Sequence, residues 1–197
     1  LCPMTDDDVA TIVHCEKEDS EGDEKTIEPM AFQHYFVRDR CQPTVTGFSF
    51  EGMDSARPSD KFLAALKSKN LGSILICPSN PFVSVDPVLK LPGILEAMKK
   101  SPAPVIAVSP IVGGQAIKGP AAKMMAELGM PASALAVAKH YQGRIDGFVI
   151  DEADADLKEE IQGLGIPTIV TKSVMVTLED RISLAEAVLE FADELAS

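Results

Sequence analysis

The sequence predicts an α/β protein with a Rossmann-like parallel sheet, helices on both faces of that sheet, and a β-rich N-terminal segment. Two apolar, β-branched runs, residues 74–77 and 105–108, each stop abruptly at a cluster of proline, serine or asparagine. Short, nearly continuous apolar runs are typical of buried parallel strands. Beyond Pro58 such runs alternate with helix-like segments. This alternation indicates a parallel, doubly wound sheet with right-handed crossovers.

The pattern changes near Pro58, which divides the chain into two predicted parts. Residues 1–57 form a β-rich segment with an acidic loop, and residues 58–197 form an α/β nucleotide-binding domain. In the first part, alternating or β-branched runs predict strands at residues 9–14, 31–37 and 44–50. Residues 16–28 hold seven acidic side chains and two lysines, which is typical of a solvated hairpin loop or disordered tip, with a cation site as the alternative.

In the second part, the apolar runs predict strands at residues 73–77, 105–108, 147–150 and 168–170. Helices are predicted from Ser59 to Asn70, from Pro92, from Pro120, from Ser133 to Tyr141, over Leu157, Ile161 and Leu164, and from Thr177 onward. Thr177 and Asp180 have the spacing of a capping box at the start of the last helix. The buried face of that helix is predicted to be its apolar stripe, Leu178, Ile182, Ala185, Leu189 and Ala192.

Composition narrows the class of protein. A chain of 197 residues with 46% hydrophobic content can bury a full core. The net charge of −12 argues against a nucleic-acid surface, although backbone N–H groups can still bind a small anion. No apolar run approaches the roughly 18–20 residues that span a bilayer, and no leader is recognisable, so we expect a cytoplasmic protein without a membrane partner. The cysteines and histidines lack metal-ligand spacing, so we expect free thiols and no zinc.

The segment after the first parallel strand, residues 78–91, is predicted to be a long irregular loop restrained by its prolines, and such loops are usually functional. Asn80 offers an acceptor and a donor, which suit the edge of a nucleobase or a ribose. Ser79 and Ser84 offer hydroxyl groups, and Asp86 offers a carboxylate. The alternative is that Asn80 and Ser84 only tie their own turn together.

The segment after the next strand, residues 109–120, has a glycine pair and ends in Lys118-Gly119-Pro120. Proline at the first position of a helix leaves the neighbouring N–H groups without helical partners. A helix start favours anions, and Lys118 adds a positive charge beside it. Gly113 and Gly114 permit close backbone approach or positive φ. The alternative is a glycine-rich turn with a surface lysine.

The remaining strand ends also carry polar groups. Asp151, Glu152, Asp154 and Asp156 follow the third strand, where a ligand or Mg²⁺ role competes with a solvated helix start. Thr171, Lys172 and Ser173 follow the fourth strand. No nucleophile–base or paired-carboxylate arrangement stands out, so catalytic residues stay unassigned and a hydrolase is not indicated.

Several segments occur together in one known family: residues 1–7, 78–89, 91–94, 109–114, 118–121 and 146–151. In this combination the chain resembles the 2-phospho-L-lactate transferase family over essentially its whole length. The resemblance implies transfer of a phospholactyl-type group, or of a phosphoenolpyruvyl or phosphoglyceryl group, from a guanosine diphosphate-activated donor. The implied acceptor is the deazaflavin precursor Fo, with release of GMP in coenzyme F-420 biosynthesis. Mg²⁺ and a homodimer are implied in the same way.

Site residues follow from the same resemblance. It implies that Ser79, Asn80 and Ser84 contact the guanosine part of the donor. It implies that the phosphate or donor side is lined by Ser109, Gly113, Gly114, Lys118 and Gly119. The Gly-Gly-Thr-Gly loop that usually opens family members is not in this sequence, which predicts that the chain is a C-terminal part. The alternatives are a non-catalytic nucleotide- or metabolite-binding regulatory protein of related fold, and an interaction module whose loops pack at a subunit interface.

Overall fold

A computed structural model describes residues 1–18 and 25–197. The strands are β1 (Ala10–Glu18), β2 (Lys25–Ala31), β3 (Val45–Glu51), β4 (Ile74–Ile76), β5 (Val105–Val108), β6 (Ile111–Val112), β7 (Gln115–Ala116), β8 (Gly147–Ile150) and β9 (Thr168–Val170). The α-helices are α1 (Asp60–Leu66), α2 (Asp86–Leu89), α3 (Ile94–Lys100), α4 (Ala121–Glu127), α5 (Ala134–Tyr141), α6 (Lys158–Gln162) and α7 (Leu178–Ala196). Shorter helical turns are π at His34–Arg38 and Pro81–Val85 and 3₁₀ at Glu152–Leu157.

The parallel sheet has the order β4-β5-β8-β9. Its register pairs Ile74 with Val105, Ile106 with Gly147, and Phe148 with Thr168. Among the described residues this order follows the chain without reversal. The prediction of a parallel, Rossmann-like α/β sheet is confirmed.

Helices lie on both faces of this sheet because alternate strand residues point to opposite sides. Ala107 and Phe148 point into the larger core, which contains buried residues of α3, α4, α5 and α6. Ile106, Val108 and Val149 point to the other side and pack against α7.

The face of α7 that packs on the sheet shares only Ala192 with the predicted stripe, and the rest of that prediction is wrong. Its buried residues are Leu184, Val188, Phe191 and Ala192, whereas Leu178, Ile182 and Leu189 are 62%, 48% and 51% exposed. The cause lies on the sheet at Gly147, where a Cβ would come within 2.7 Å of Phe191 and of Leu195. Because Gly147 has no side chain, this face of α7 can lie close to β8. The sequence of α7 alone contains two apolar stripes and does not show which of them packs on the sheet.

The N-terminal strands form an antiparallel sheet of order β2-β1-β3, with Val13 opposite both Met30 and Phe48. The predicted strand at residues 31–37 is wrong, because β2 ends at Ala31 and a π turn follows. The helical turn lets Tyr35 become completely buried while Phe36 stacks on Phe32, four residues earlier, with ring centroids 5.5 Å apart.

The acidic segment is only partly a loop. Its ends belong to β1 and β2, where Lys17 pairs with Glu28 at 2.8 Å and Lys25 pairs with Glu16 at 2.9 Å. Opposite charges at diagonal positions of the two strands favour this pairing. The prediction of a loop over all of residues 16–28 is therefore wrong at both ends. The tip, residues 19–24, lies outside the described residues.

Both sheets contribute to one hydrophobic cluster, in which Val13 and Tyr35 share the core with Ile94 and Met124. The stacking of Phe48 in β3 on Phe82, with centroids 5.5 Å apart, reinforces this contact. The division near residue 58 into two domains stays a prediction. Among the described residues, no helix is long and apolar enough to cross a membrane.

Candidate functional site

A cavity of about 270 Å³ lies outside the carboxyl ends of β4, β5 and β9. It is lined by Pro78, Ser79, Asn80, Ser109, Pro110, Val112, Ile117, Lys118, Ala121, Ser173, Val174 and Met175. Open α/β sheets bind ligands at this edge, because the loops that follow the strands converge there. The cavity therefore brings together four of the eight residues that the sequence assigned to the site, Ser79, Asn80, Ser109 and Lys118.

Besides a depression of about 320 Å³ that is lined by residues 38–40, 42 and 43 of the N-terminal segment, two further depressions are larger than this cavity and are weaker candidates because of where they lie. One, of about 700 Å³, is lined by residues of the N-terminal segment and the start of α1 and by none of the parallel strands. The other, of about 460 Å³, is lined by residues 101–105 and 143–146, which precede or begin β5 and β8. That is the amino edge of the sheet, opposite to the edge where ligands bind in this class of fold.

The segment after β4 is helical rather than irregular, because Asn80 starts a helix there. The Asn80 side-chain oxygen accepts hydrogen bonds from the N–H groups of Phe82 and Val83 at 3.0 and 3.3 Å. The Asn80 amide nitrogen lies 3.2 Å from the sulfur of Met124 in α4. The prediction of an irregular loop over residues 78–91 is wrong. The side-chain oxygen of Asn80 ties its own turn together, as the alternative interpretation expected. Asn80 still lines the cavity.

Ser84 and Asp86 lie away from the cavity. Ser84 is exposed and borders a separate, largely apolar hollow beside β4. Asp86 is buried, with His140 Nε2 at 2.9 Å, Lys90 Nζ at 3.2 Å and Arg144 Nη1 at 3.3 Å. Burial by itself raises the pKa of Asp86, but the hydrogen bond from His140 and the positive charge of Lys90 bring this pKa below its usual value. The cluster ties α2 to α5 and offers no free carboxylate.

The glycine pair belongs to a tight hairpin. Val112 pairs with Gln115 across β6 and β7, so Gly113 and Gly114 are the two turn residues, with φ of +56° and +77°. Positive φ at both positions is the requirement of a type I′ turn, which explains the glycines without a ligand. The Gly113 N–H donates to both carboxylate oxygens of Asp154 at 3.2 and 3.1 Å. Neither glycine lines the cavity.

Lys118 lines the cavity from the segment between β7 and α4. Its side chain is exposed, and no partner for its ammonium group is found among the described residues. Gly119 has a φ of +74° and does not line the cavity. Pro120 is the residue before α4 rather than its first residue, so the predicted helix start is one residue early.

Most serine hydroxyl groups at the cavity already have partners. Ser109 is buried, and its Oγ donates to the Ile111 carbonyl at 2.8 Å and accepts from the Ile111 N–H at 3.2 Å. Ser173 Oγ donates to Asp151 at 2.9 Å. Ser79 has no side-chain partner among the described residues. Ser79 and Lys118 are thus the polar lining side chains that make no hydrogen bond within that part of the chain.

The acidic run after β8 is bound to neighbouring loops rather than exposed to a ligand. Asp151 accepts from the Ser173 N–H at 2.7 Å and from the Ala153 N–H at 3.1 Å. Burial opposes its ionised form, but the hydrogen bonds from Ser173 and Ala153 outweigh burial and lower the pKa of Asp151. Burial raises the pKa of Asp154, which the Gly113 N–H only partly offsets. Lys172 turns to Asp180, with Nζ 2.6 Å from a carboxylate oxygen.

Apolar cavity residues were missed by the sequence reasoning. Ile117 and Met175 line the cavity and are exposed, and Val174 lies beside them. Their signal was an apolar residue next to a candidate polar one, Ile117 before Lys118 and Val174 after Ser173. A cavity with apolar walls and a few polar groups is the usual form of a small-molecule site.

Among the described residues, no carboxylate lines the cavity to hold Mg²⁺ there. No group of three or more His, Cys, Asp or Glu among residues 1–18 and 25–197 is placed to hold a metal ion. Mg²⁺ at phosphoryl groups commonly takes one or two carboxylates besides the phosphates. Asp151 and Asp154 already accept hydrogen bonds from the protein, and neither lines the cavity.

Comparison with known proteins gives concordant matches. A family model described as 2-phospho-L-lactate transferase CofD matches residues 1–192. The chain is 36% identical over 196 residues to a Streptomyces griseus protein named phosphoenolpyruvate transferase, covering 99% of this chain and 59% of that protein. It is 36% identical over 190 residues to a Methanosarcina mazei protein named 2-phospho-L-lactate transferase, covering 96% of this chain and 58% of that protein.

A solved structure shares the fold. Protein BH3568 from Bacillus halodurans superposes with a TM-score of 0.59 and 18% identity, covering 95% of this chain and 60% of that chain. At that identity the likeness concerns the fold alone. The chain spans 59% and 58% of the length of the two relatives above. The match to residues 1–192 covers almost the whole sequence, and the chain therefore belongs to the 2-phospho-L-lactate transferase CofD family.

Proposed function

We propose that this chain carries the nucleotide-binding part of a transferase of coenzyme F-420 biosynthesis. The donor is guanosine diphosphate-activated and carries a phospholactyl, phosphoenolpyruvyl or phosphoglyceryl group, and the acceptor is the deazaflavin precursor Fo. The observation that carries the proposal is the cavity at the carboxyl edge of the parallel sheet in a chain of this family. Its volume of about 270 Å³ is close to the lower limit of small-molecule pockets, which suits one nucleoside-sized group.

The chemistry requires positioning and charge neutralisation. The acceptor hydroxyl oxygen attacks the β-phosphorus, a new P–O bond forms, the P–O bond to GMP breaks, and the hydroxyl proton is released. Such transfers need no nucleophilic side chain of the protein. The Lys118 ammonium group would lie against the diphosphate, and the Ser79 hydroxyl would donate to the nucleotide. Ser109 would act through its place in the cavity wall, because its hydroxyl is already used.

The assignments of Ser84, Gly113, Gly114 and Gly119 receive no support from the cavity geometry, because none of these residues lines it. They stay predictions of the family resemblance. A homodimer and a magnesium requirement also stay predictions of the family resemblance.

The test is a calorimetric titration of this chain with GDP, with ADP as the matched control and with each experiment repeated in Mg²⁺. We expect selective binding of GDP. GDP at 100 times its Kd should then stabilise the chain by about 2.7 kcal/mol, which raises the Tm of a chain of this size by roughly 5–11 °C. Equal binding of GDP and ADP would favour the regulatory alternative, and no binding of either would contradict a nucleotide site in this chain.

A further inference from the structure

Two segments that line the cavity, residues 173–175 and the hairpin that leads to Lys118, are attached to the same short turn. Asp151 and Asp154 lie at the start of the 3₁₀ segment after β8, and both side chains are buried. Their carboxylates bind two different loops, the one after β9 and the hairpin after β5. Neither aspartate lines the cavity. Asp151 binds Ser173, which lines it, and Asp154 binds Gly113, whose neighbour Val112 lines it.

Asp154 fixes the hairpin wall. Both of its oxygens receive the Gly113 N–H, at 3.2 and 3.1 Å. Gly113 follows Val112, which lines the cavity, and the hairpin leads on to Ile117 and Lys118, which line it too. Apart from the paired strands of the hairpin itself, this is the hydrogen bond that holds the glycine turn in place among the described residues.

Asp151 fixes the second wall, which is the segment after β9. One oxygen receives the Ser173 N–H at 2.7 Å and the Ser173 hydroxyl at 2.9 Å, and the other receives the Ala153 N–H at 3.1 Å. Ser173 lines the cavity together with the two residues that follow it, Val174 and Met175. The chain on the far side of these residues is held by Asp180, which accepts from the Val176 N–H at 3.0 Å.

We propose that Asp151 and Asp154 are positioning residues that set the width of the nucleotide cavity by holding its two walls. The run of acids after β8 is then neither a metal site nor a solvated helix start at these two positions. Asp156, in the same run, is exposed and has no partner among the described residues, so it provides a control of equal charge. The part of this inference that concerns nucleotide rests on the function proposed above.

Hydrogen–deuterium exchange of the ligand-free chain tests the two attachments separately. Loss of a hydrogen bond to a charged group shifts the equilibrium for local opening by roughly ten- to hundredfold. Asp154→Ala should therefore speed exchange by about that factor in residues 111–119 and leave residues 172–176 unchanged. Asp151→Ala should have the opposite pattern, and Asp156→Ala should change neither segment. Equal exchange in all three variants would overturn the proposal.

Conservative variants separate attachment from charge. Asp154→Asn keeps an oxygen for the single Gly113 N–H, so exchange of the hairpin should stay close to that of the parent. Asp151→Asn has one carbonyl oxygen where two are needed, so it should loosen residues 172–176 as Asp151→Ala does. A purely electrostatic role predicts that Asp154→Asn behaves like Asp154→Ala, so the Asp154 pair decides between attachment and charge. If Asp151→Ala does not fold, Ser173→Ala removes one hydrogen bond of the same attachment and replaces it in the test.

Titration with GDP completes the test. A site that is competent for only part of the time binds more weakly by that fraction, so Asp154→Ala and Asp151→Ala should raise the Kd for GDP several-fold, while Asp156→Ala should not. Faster exchange with an unchanged Kd would overturn the link to the nucleotide. If the parent chain does not bind GDP, the function proposed above fails, and the exchange experiment still decides whether the two walls are held as inferred.

Discussion

Substitution of Asn80 by alanine separates its role in the fold from its role at the cavity. The Asn80 oxygen accepts two N–H groups at the start of the π helix that follows β4, at 3.0 and 3.3 Å. Loss of such a cap costs about 0.5–2 kcal/mol. The contact from the Asn80 amide nitrogen to the Met124 sulfur adds little, because a thioether is a weak acceptor. We therefore expect Asn80→Ala to lower the free energy of unfolding by about 1–2 kcal/mol.

Urea unfolding followed by circular dichroism measures this loss, and the slope against urea should not change. In a chain of this size the corresponding fall in Tm is about 2–8 °C. Asn80→Ser keeps a capping oxygen without adding charge, so its stability should lie within about 0.5 kcal/mol of the parent. Asn70→Ala, at an exposed turn residue, should also lie within about 0.5 kcal/mol. An Asn80→Ala variant as stable as Asn70→Ala would refute the capping role.

The same variants decide whether the Asn80 amide reads the nucleotide. Asn80→Ser keeps the cap and removes the amide, so a weaker affinity for GDP in a variant of normal stability would assign the amide to the ligand. The structure predicts the other result, in which GDP affinity follows stability and only Asn80→Ala binds less tightly. The reason is that the oxygen is already shared between two N–H groups and the amide nitrogen lies against the Met124 sulfur.

Three further outcomes are expected. Lys118→Ala should weaken GDP binding about five- to thirtyfold, as expected for an exposed charge close to a phosphate, and leave guanosine binding unchanged; Lys69→Ala is the exposed control, and equal losses for GDP and guanosine would contradict a phosphate contact. Gly147→Ala should destabilise the fold, because its Cβ would lie 2.7 Å from α7 side chains; Gly72→Ala, with open space, should not, as urea unfolding can measure. Hydrogen bonds from Lys172 and from backbone N–H groups lower the pKa of Asp180. The stability that Asp180 contributes should therefore be present above the pKa of an unfolded aspartate and be lost as pH falls through the lower folded pKa. Asp180→Asn should make the loss of stability at acid pH shallower, and an unchanged pH profile would contradict this.

Local sequence signals were sufficient for the parallel strands. The runs at residues 105–108, 147–150 and 168–170 have the predicted bounds, because apolar, mostly β-branched residues end there at polar or proline positions. The capping box of Thr177 and Asp180 is present for a similarly local reason, since its hydrogen bonds join residues three apart. Features of this kind depend on neighbours in the sequence.

Features that depend on distant residues were not predictable in the same way. The buried face of α7 depends on Gly147, far from it in sequence. The turn at residues 34–38 depends on the place that the core offers to Tyr35. At the site, the positions of Ser79, Ser109 and Lys118 at the sheet edge followed from the strand ends. The sequence did not show which of their polar groups are free, because the Ser109 hydroxyl makes its hydrogen bonds within its own loop.

Binding of an anionic nucleotide by a chain with a net charge of −12 requires that the local charge at the site differ from the total. At physiological ionic strength the screening length is about 8 Å, so the distant carboxylates contribute little. Among the residues that the structure describes, Lys118 is the charged residue that lines the cavity, and no Asp or Glu does so. The nearby carboxylates of Asp151 and Asp154 face backbone N–H groups instead. The same two contacts that hold the walls therefore also turn negative charge away from the ligand. It follows that added salt should weaken GDP binding more than guanosine binding, because Lys118 is exposed and its charge is screened.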